Sequence, residues 1–264
     1  MNTNDRLPAA TRVQDVAFPM RHWRTGALVI LLLALFAGVM ALEPITQSAA
    51  YHDFADQRFL LGVPNLLDVA SNIAFVIVGA LGIVLCGGRR RPPRVASWMA
   101  LFIATVLTGL GSAYYHWAPS DATLVWDRIP LSLVVMALFV ALVVEHIGEG
   151  LERFLLAPAL AVGGASVLWW WWSGDLRPFV WVQFAPLLCI LFVLAMFPAR
   201  YTHRRFILYG IGLYALAKAA EIEDRGIFTL TSHVVSGHTL KHLLAAGAIV
   251  ALLVMLRRRE ANDA

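Results

Sequence analysis

Five residues in this 264-residue chain have types and spacings that suit metal-assisted hydrolysis: Ser112, His116, Asp127, His238 and His242. Ser112 and His116 are four apart, as are His238 and His242, so on helices each pair shares one face. Histidines at i and i+4 can hold one metal ion, and His116 from another helix would supply a third ligand. Three protein ligands with a fourth position open is the layout of a catalytic zinc site. Zinc there lowers the pKa of a water toward about 7 and polarises a carbonyl. Taken singly, each residue has a plainer reading. A histidine near a span end usually packs at the interface, and HxxxH can also pair with carbonyls or bind haem. Asp127 can pair with Arg128, and Ser112 can serve helix packing. What favours a site is their common depth.

That depth follows from the elements that carry them. The chain is 59% hydrophobic and 14% charged, with a mean hydropathy of +0.70. A soluble domain is nearer half apolar and a quarter charged, so the fold class is an all-α polytopic membrane protein. A span needs roughly 20 mostly apolar residues. Eight stretches qualify: about 25–43, 65–86, 95–116, 123–145, 154–172, 179–197, 206–222 and 237–256. The first is too long for the apolar core of a signal peptide. Residues 1–20 read as a disordered cytoplasmic tail and 257–264 as a basic one.

Arginine clusters fall in every second connection: Arg21 and Arg24, then Arg89, Arg90, Arg91 and Arg94, then Arg153, then Arg200, Arg204 and Arg205, then Arg257, Arg258 and Arg259. The positive-inside rule then places both termini in the cytoplasm and requires an even number of spans. His116 ends the third span on the outer side, Asp127 begins the fourth there, and His238 and His242 begin the eighth. Three spans thus deliver polar groups to one depth, and an ionisable residue inside a span is a functional signal. In a bacterium that side is the periplasmic side of the inner membrane.

The net charge of +4 belongs to these clusters; it marks topology, and the chain has no nucleic-acid motif. Cys86 and Cys189 lie in different spans and suggest neither a disulfide nor a thiolate metal site. Trp169 to Trp172 read as an interfacial aromatic belt. His22, His146 and His203 fall on the cytoplasmic side; His52 and His233 lie in outer loops. Lys241 is expected to point away from the histidine face and snorkel. Lys218, Glu221, Glu223 and Asp224 read as a structural ion-pair cluster. Asp53, Asp56 and Asn65, in the loop Tyr51–Asn65, are oxygen donors of the kind calcium takes. Their spacing matches no calcium loop, and a solvated loop is the plainer reading.

The combination of NLLDVASNIAF (Asn65–Phe75), Ser112-x3-His116, Asp127 and His238-x3-His242 resembles the alkaline ceramidase family. That family is part of a wider superfamily of seven-helix membrane hydrolases that includes the adiponectin receptors. The resemblance covers about residues 51–256. It implies a seven-helix hydrolase domain over 51–256, preceded by one extra transmembrane helix within 21–50. It also implies zinc on His116, His238 and His242, with Ser112 stabilising an oxyanion and Asp127 handling the proton of water. The family's calcium site would correspond to Asp53, Asp56 and Asn65, with Asn65 where the family has Glu. The implied reaction is hydrolysis of the amide of a ceramide-like lipid to a sphingoid base and a fatty acid. The rival readings are a hydrolase of another amide lipid, a seven-helix receptor or transporter with structural zinc, and a haem-binding electron carrier. For the last, two ligands on one helical turn are poor axial geometry.

Overall fold

The computed structural model of the chain describes residues 18–88 and 95–262. The tail expected over 1–20 lies almost wholly outside these residues, as do Arg89, Arg90, Arg91 and Arg94; helix α1 (Phe18–Met40) already begins within the expected tail. The described chain is α-helical apart from one small hairpin of β1 (Phe59–Leu60) with β2 (Val63–Pro64) in the outer loop.

The spanning helices are apolar around most of their circumference. The next span is α2 (Leu66–Ser71) followed by α3 (Ile73–Gly87), interrupted at Asn72, whose amide donates back to the Asp68 carbonyl at 2.8 Å. Then come α4 (Val95–Trp117), α5 (Asp121–His146), α6 (Glu152–Ser173) and α7 (Arg177–Met196). The last three elements are α8 (Arg205–Ile222), α9 (Asp224–Leu230) and α10 (Gly237–Arg258). Among the described residues, seven segments are long and apolar enough to cross a membrane: α1, α2–α3, α4, α5, α6, α7 and α10. By helix length and hydropathy this is a multi-pass integral membrane protein.

The eighth expected span, 206–222, is the helix α8 but is not one of those seven. Arg205, Lys218 and Glu221 put three formal charges into its 18 residues. Lys218 and Glu221 are part of the polar cluster described below, and the exposed Arg205 at the first residue of α8 adds the third charge.

Helix α5 is the axis of the bundle. It packs against α4, α6 and α7, and 72% of its span is buried, whereas α1 is 6% buried and rests on the outside of α7. Ser120 starts α5 with a capping box to Thr123, which satisfies amide groups that a helix start otherwise leaves open. The main core joins Trp98, Leu101 and Phe102 of α4 to Ala141 and Leu142 of α5 and Leu252 of α10. Helix α8 packs along α10, and α3 along α4 and α10. The four-tryptophan run divides: Trp169, Trp171 and Trp172 face outward, while Trp170 is buried.

Candidate metal centre

His116 lies in the last turn of α4, and His238 and His242 lie in the first two turns of α10. All three are buried, and each offers a ring nitrogen within 4.8 Å of the others. The Nε2 atoms of His116 and His238 are 3.2 Å apart. Two nitrogens that each sit about 2.0–2.1 Å from one tetrahedral ion lie roughly 3.3 Å apart, so the spacing fits a shared ion. Their rings, with that of His242, are 4.6–5.0 Å apart by centroid. Among the described residues this is the group of histidine, cysteine and carboxylate side chains that could hold a metal ion.

The tautomer of His242 follows from its neighbour. Ser71, at the end of α2, donates its single hydroxyl proton to the Asp68 carbonyl at 3.0 Å and lies 2.8 Å from His242 Nδ1. With that proton used, Ser71 Oγ can only accept from Nδ1–H. The proton therefore sits on Nδ1, and Nε2 keeps a lone pair. His242 Nε2 is buried and has no hydrogen-bond partner among the described residues. A buried polar atom left unpaired costs about 1–3 kcal/mol, and an ion on Nε2 would remove that cost. Fixing a ligand histidine through its other nitrogen is what outer-shell partners do in metal sites. His116 Nδ1 is likewise buried without a partner among the described residues, and no outer-shell group for it is identified.

Helix α10 is held in place from three sides. Ser236 caps it by accepting from Thr239 N at 2.9 Å, and the buried Asp68 carboxylate accepts from Ser236 Oγ at 2.9 Å and Thr239 Oγ1 at 2.5 Å. A carboxylate at a helix start is favoured by the helix dipole. Asp224 of α9 accepts from His238 N and from Ala55 N, each at 2.8 Å, tying α10 to the outer loop. Gly237 permits the approach: a Cβ there would lie 2.2 Å from the Ala220 carbonyl oxygen.

Ser112 and Asp127 sit where α4 and α5 touch. A Cβ on Gly111 would lie 2.0 Å from the Trp126 carbonyl oxygen, so the two backbones meet there. Ser112 follows Gly111 and Asp127 follows Trp126, so this backbone contact sets Ser112 and Asp127 side by side. Both residues, with His242, line a cavity of about 60 Å³. That cavity shares Phe75, Thr108, Leu131, Tyr214 and Ala245 with an apolar cavity of about 70 Å³ deeper in the bundle. The apolar cavity is walled by α4, α5, α8 and α10, with Phe75 of α3 and Leu187 of α7 also in its lining.

Lys241 does not point away from the site. It is three residues after His238 and lies 3.1 Å from His238 Nε2 and 2.7 Å from Glu221, which also pairs with Lys218 at 2.6 Å. Sequence spacing contains this signal, because i and i+3 share a helix face. Snorkelling fails because Glu221 pairs with the ammonium at the site. One lone pair cannot serve two partners, so an ion on His238 Nε2 leaves Lys241 to Glu221 and the cavity. Ser71 and Asp68 fall in the Asn65–Phe75 stretch, where a serine and an aspartate inside an apolar run were the available sign.

The three oxygen donors considered for calcium are not brought together as one set. Asp53 pairs with Arg225 at 2.6 Å, Asp56 is held by two Arg58 nitrogens at 2.6 and 2.7 Å, and Asn65 donates to the His116 carbonyl at 2.9 Å. Burial alone would raise the Asp56 carboxyl, but the Arg58 hydrogen bonds and charge outweigh it and hold it below its ordinary value. Arg225 and Arg58 are thus the partners of the two carboxylates in this loop. Asn65 instead braces the backbone of a candidate ligand. His52 bonds Tyr115 at 2.9 Å and Asp121 at 3.1 Å, and His233 packs on Phe228; neither joins the cluster. Phe54 closes the cluster from outside, its ring 4.6 and 4.8 Å from those of His116 and His238. Tyr51, beside it, bonds Glu221 at 3.3 Å; burial and then the Glu221 charge push its phenol up, so it remains a neutral donor.

No protein-family model matches the chain, and no curated protein or solved structure does either.

Proposed function

We propose that this chain is a zinc-dependent intramembrane hydrolase that cleaves the amide of a ceramide-like lipid, releasing a sphingoid base and a fatty acid. The observation that carries the reading is the junction of three elements in one place. Three buried histidines lie beside Ser112 and Asp127, and the chamber lined by Ser112, Asp127 and His242 shares five wall residues with an apolar cavity among α4, α5, α8 and α10. Pockets that take lipids are largely apolar with a few placed polar groups. The donor set, three neutral imidazoles with one Nε2 left unpaired among the described residues, suits zinc. The resemblance to alkaline ceramidases points the same way.

Bound by His116, His238 and His242, zinc would supply Lewis acidity toward the amide carbonyl. The protein supplies the rest. Asp127 takes the proton of the attacking water and returns it to the leaving amine. Ser112, beside it and one turn before His116, donates to the carbonyl oxygen as it gains charge. Phe54 covers the rings of His116 and His238 on the outer side, and the apolar cavity among α4, α5, α8 and α10 takes an alkyl chain. Three histidines rather than four protein ligands favour catalysis over a purely structural ion.

In this reading α8 crosses the membrane as the eighth span, with Glu221 paired to Lys218 and to Lys241 of α10 and bonded by Tyr51 of the outer loop. Residues 51–256 then form the seven-helix hydrolase domain with α1 as the added helix, both termini are cytoplasmic, and the site faces the outer leaflet. The test is metal analysis of the purified full chain, paired with mass spectrometry of lipids released from a panel of amide lipids. One zinc per chain and release of fatty acid are expected. A stoichiometric zinc with no amide lipid cleaved would sink the hydrolase reading.

A further inference from the structure

The chamber contains a second buried group with a free valence. Arg128, the residue after Asp127, is 5% exposed. It does not pair with Asp127 as its sequence position suggests. Its Nη2 donates to Gln47 at 2.6 Å, and the guanidinium lies 4.3 to 5.3 Å from the ring centres of Trp170, Phe179 and Tyr51. Its Nη1 is buried with no hydrogen-bond partner among the described residues, and the residue lines the same cavity as Ser112 and His242. The aromatic box and Gln47 hold the guanidinium in one orientation, so its unpaired N–H is fixed beside the cavity rather than free to find another partner.

The formal charge of the cavity wall agrees. Arg128, Lys218 and Lys241 face Asp127 and Glu221 there, three cations against two carboxylates, a balance of +1. Glu221 is divided between both lysines. Lys241 also loses its histidine contact when His238 takes an ion. A buried excess of cations is costly unless an anion is present. Arginine suits phosphate because its planar fork matches two oxygens, and lysine adds a point charge.

We infer that the lipid taken by this site bears a phosphate on its headgroup, held by Arg128 together with Lys218 and Lys241. The anion-binding part stands on the cavity alone; that the same lipid carries the scissile amide rests on the hydrolase reading above. A phosphate is favoured over a lone carboxylate because three cations converge and a phosphate carries more charge and more acceptor oxygens.

The test uses the full zinc-loaded chain in neutral detergent and probes without an amide, so that hydrolysis cannot confuse binding. Calorimetric titration with hexadecyl phosphate, hexadecanol, palmitate and inorganic phosphate is the first arm. Hexadecyl phosphate is expected to bind at least about 10-fold more tightly than hexadecanol. Arg128→Gln is expected to remove most of that preference while leaving hexadecanol binding unchanged. Lys218→Gln, at a side chain about one-third exposed, is expected to reduce it by a smaller factor. Equal affinity for hexadecyl phosphate and hexadecanol, or a preference that survives both variants, overturns the inference. So does palmitate binding more tightly than the phosphate, which assigns the cluster to the fatty-acid product. Inorganic phosphate competing as strongly as the alkyl phosphate assigns it to a free anion and overturns it as well. The second arm is turnover of amide lipids with and without a phosphate headgroup. Equal turnover of both, without a binding preference, sinks this inference and leaves the hydrolase reading intact. A phosphate preference without cleavage of either lipid does the reverse.

Discussion

Helices α4, α5 and α10 carry a polar cluster at each end, and the two clusters are built differently. At one end are His116, Asp127, His238 and His242. At the other, Glu145 of α5 accepts from Trp98 Nε1 of α4 at 2.9 Å and pairs with Arg259, just past α10, at 2.6 Å. Glu152 accepts from the Ser97 amide and hydroxyl at 2.8 and 2.7 Å. The clusters are about 27 Å apart, taking 18 residues of α4 at about 1.5 Å each. At the far end the carboxylates are matched by donors of the protein itself, and one Arg259 Nη2 is the atom left over. At the histidine end two of the unpaired atoms, His242 Nε2 and Arg128 Nη1, belong to residues that line one cavity, while His116 Nδ1 and Asp68 Oδ2 are unpaired among the described residues outside its lining. A cluster that completes itself holds helices together. One whose open valences share a cavity is arranged for something the chain does not contain.

Removing an open valence should therefore cost function, and removing a closed one should cost stability. The largest effect on function is expected from His116→Ala, His238→Ala and His242→Ala. Each should lose most bound zinc and all measurable turnover, whereas His203→Ala, at the far end, should keep both. Elemental analysis of purified protein checks this, and full zinc occupancy in His238→Ala would remove it from the ligand set.

Next come Asp127→Asn and Ser112→Ala. Neither is needed for three protein ligands, so zinc should stay near stoichiometric. Turnover should fall by about 10²–10⁴-fold for loss of the proton carrier and about 10²–10³-fold for loss of the oxyanion donor. Zinc content and rate measured on one sample of Asp127→Asn separate proton transfer from ligand support. If metal and activity fall together, Asp127 supports a ligand instead.

Ser71→Ala is expected to have an intermediate effect. It removes the acceptor that holds the proton on His242 Nδ1, and such losses typically weaken metal affinity about 10–100-fold. Titration against a competing chelator measures it, and an unchanged zinc affinity would show that the tautomer is set by something other than Ser71.

The five residues named from sequence sit together because two rules sufficed: hydropathy fixed which residues share an end, and i, i+4 spacing fixed which share a face. Seven of the eight apolar stretches appear as candidate spans for the same reason. Residues 206–222 form a helix but fall outside those seven, since Arg205, Lys218 and Glu221 bring three charges into α8. What spacing could not show was which partners arrive from elsewhere in the chain. Arg128 looked like a partner for Asp127, but Gln47, Tyr51, Trp170 and Phe179, far apart in sequence, capture it. Ser71 has meaning only once α2 lies beside α10. Asp53 and Asp56, which spacing alone reads as part of a solvated loop, pair with Arg225 and Arg58.

The smallest expected effect on the site belongs to the far end, and it tests the comparison most directly. Glu145→Ala leaves Arg259 buried without its carboxylate and Trp98 Nε1 without its acceptor. Breaking a buried ion pair from one side costs about 3–5 kcal/mol, so the variant should inactivate much faster on heating in detergent. Zinc per folded chain should not change, because the nearest histidine ligand is some five helical turns away. The double variant Glu145→Leu with Arg259→Met should recover most of the lost heat resistance, since apolar residues of similar volume often replace a buried pair at no net cost. No apolar replacement can do the same for His242, whose open nitrogen is its contribution. If Glu145→Ala lost zinc in proportion to turnover, or if the double variant stayed as heat-labile as the single one, the far cluster would be coupled to the histidines through α4, α5 and α10. The division between a cluster that holds the helices and one that takes a ligand would then fail.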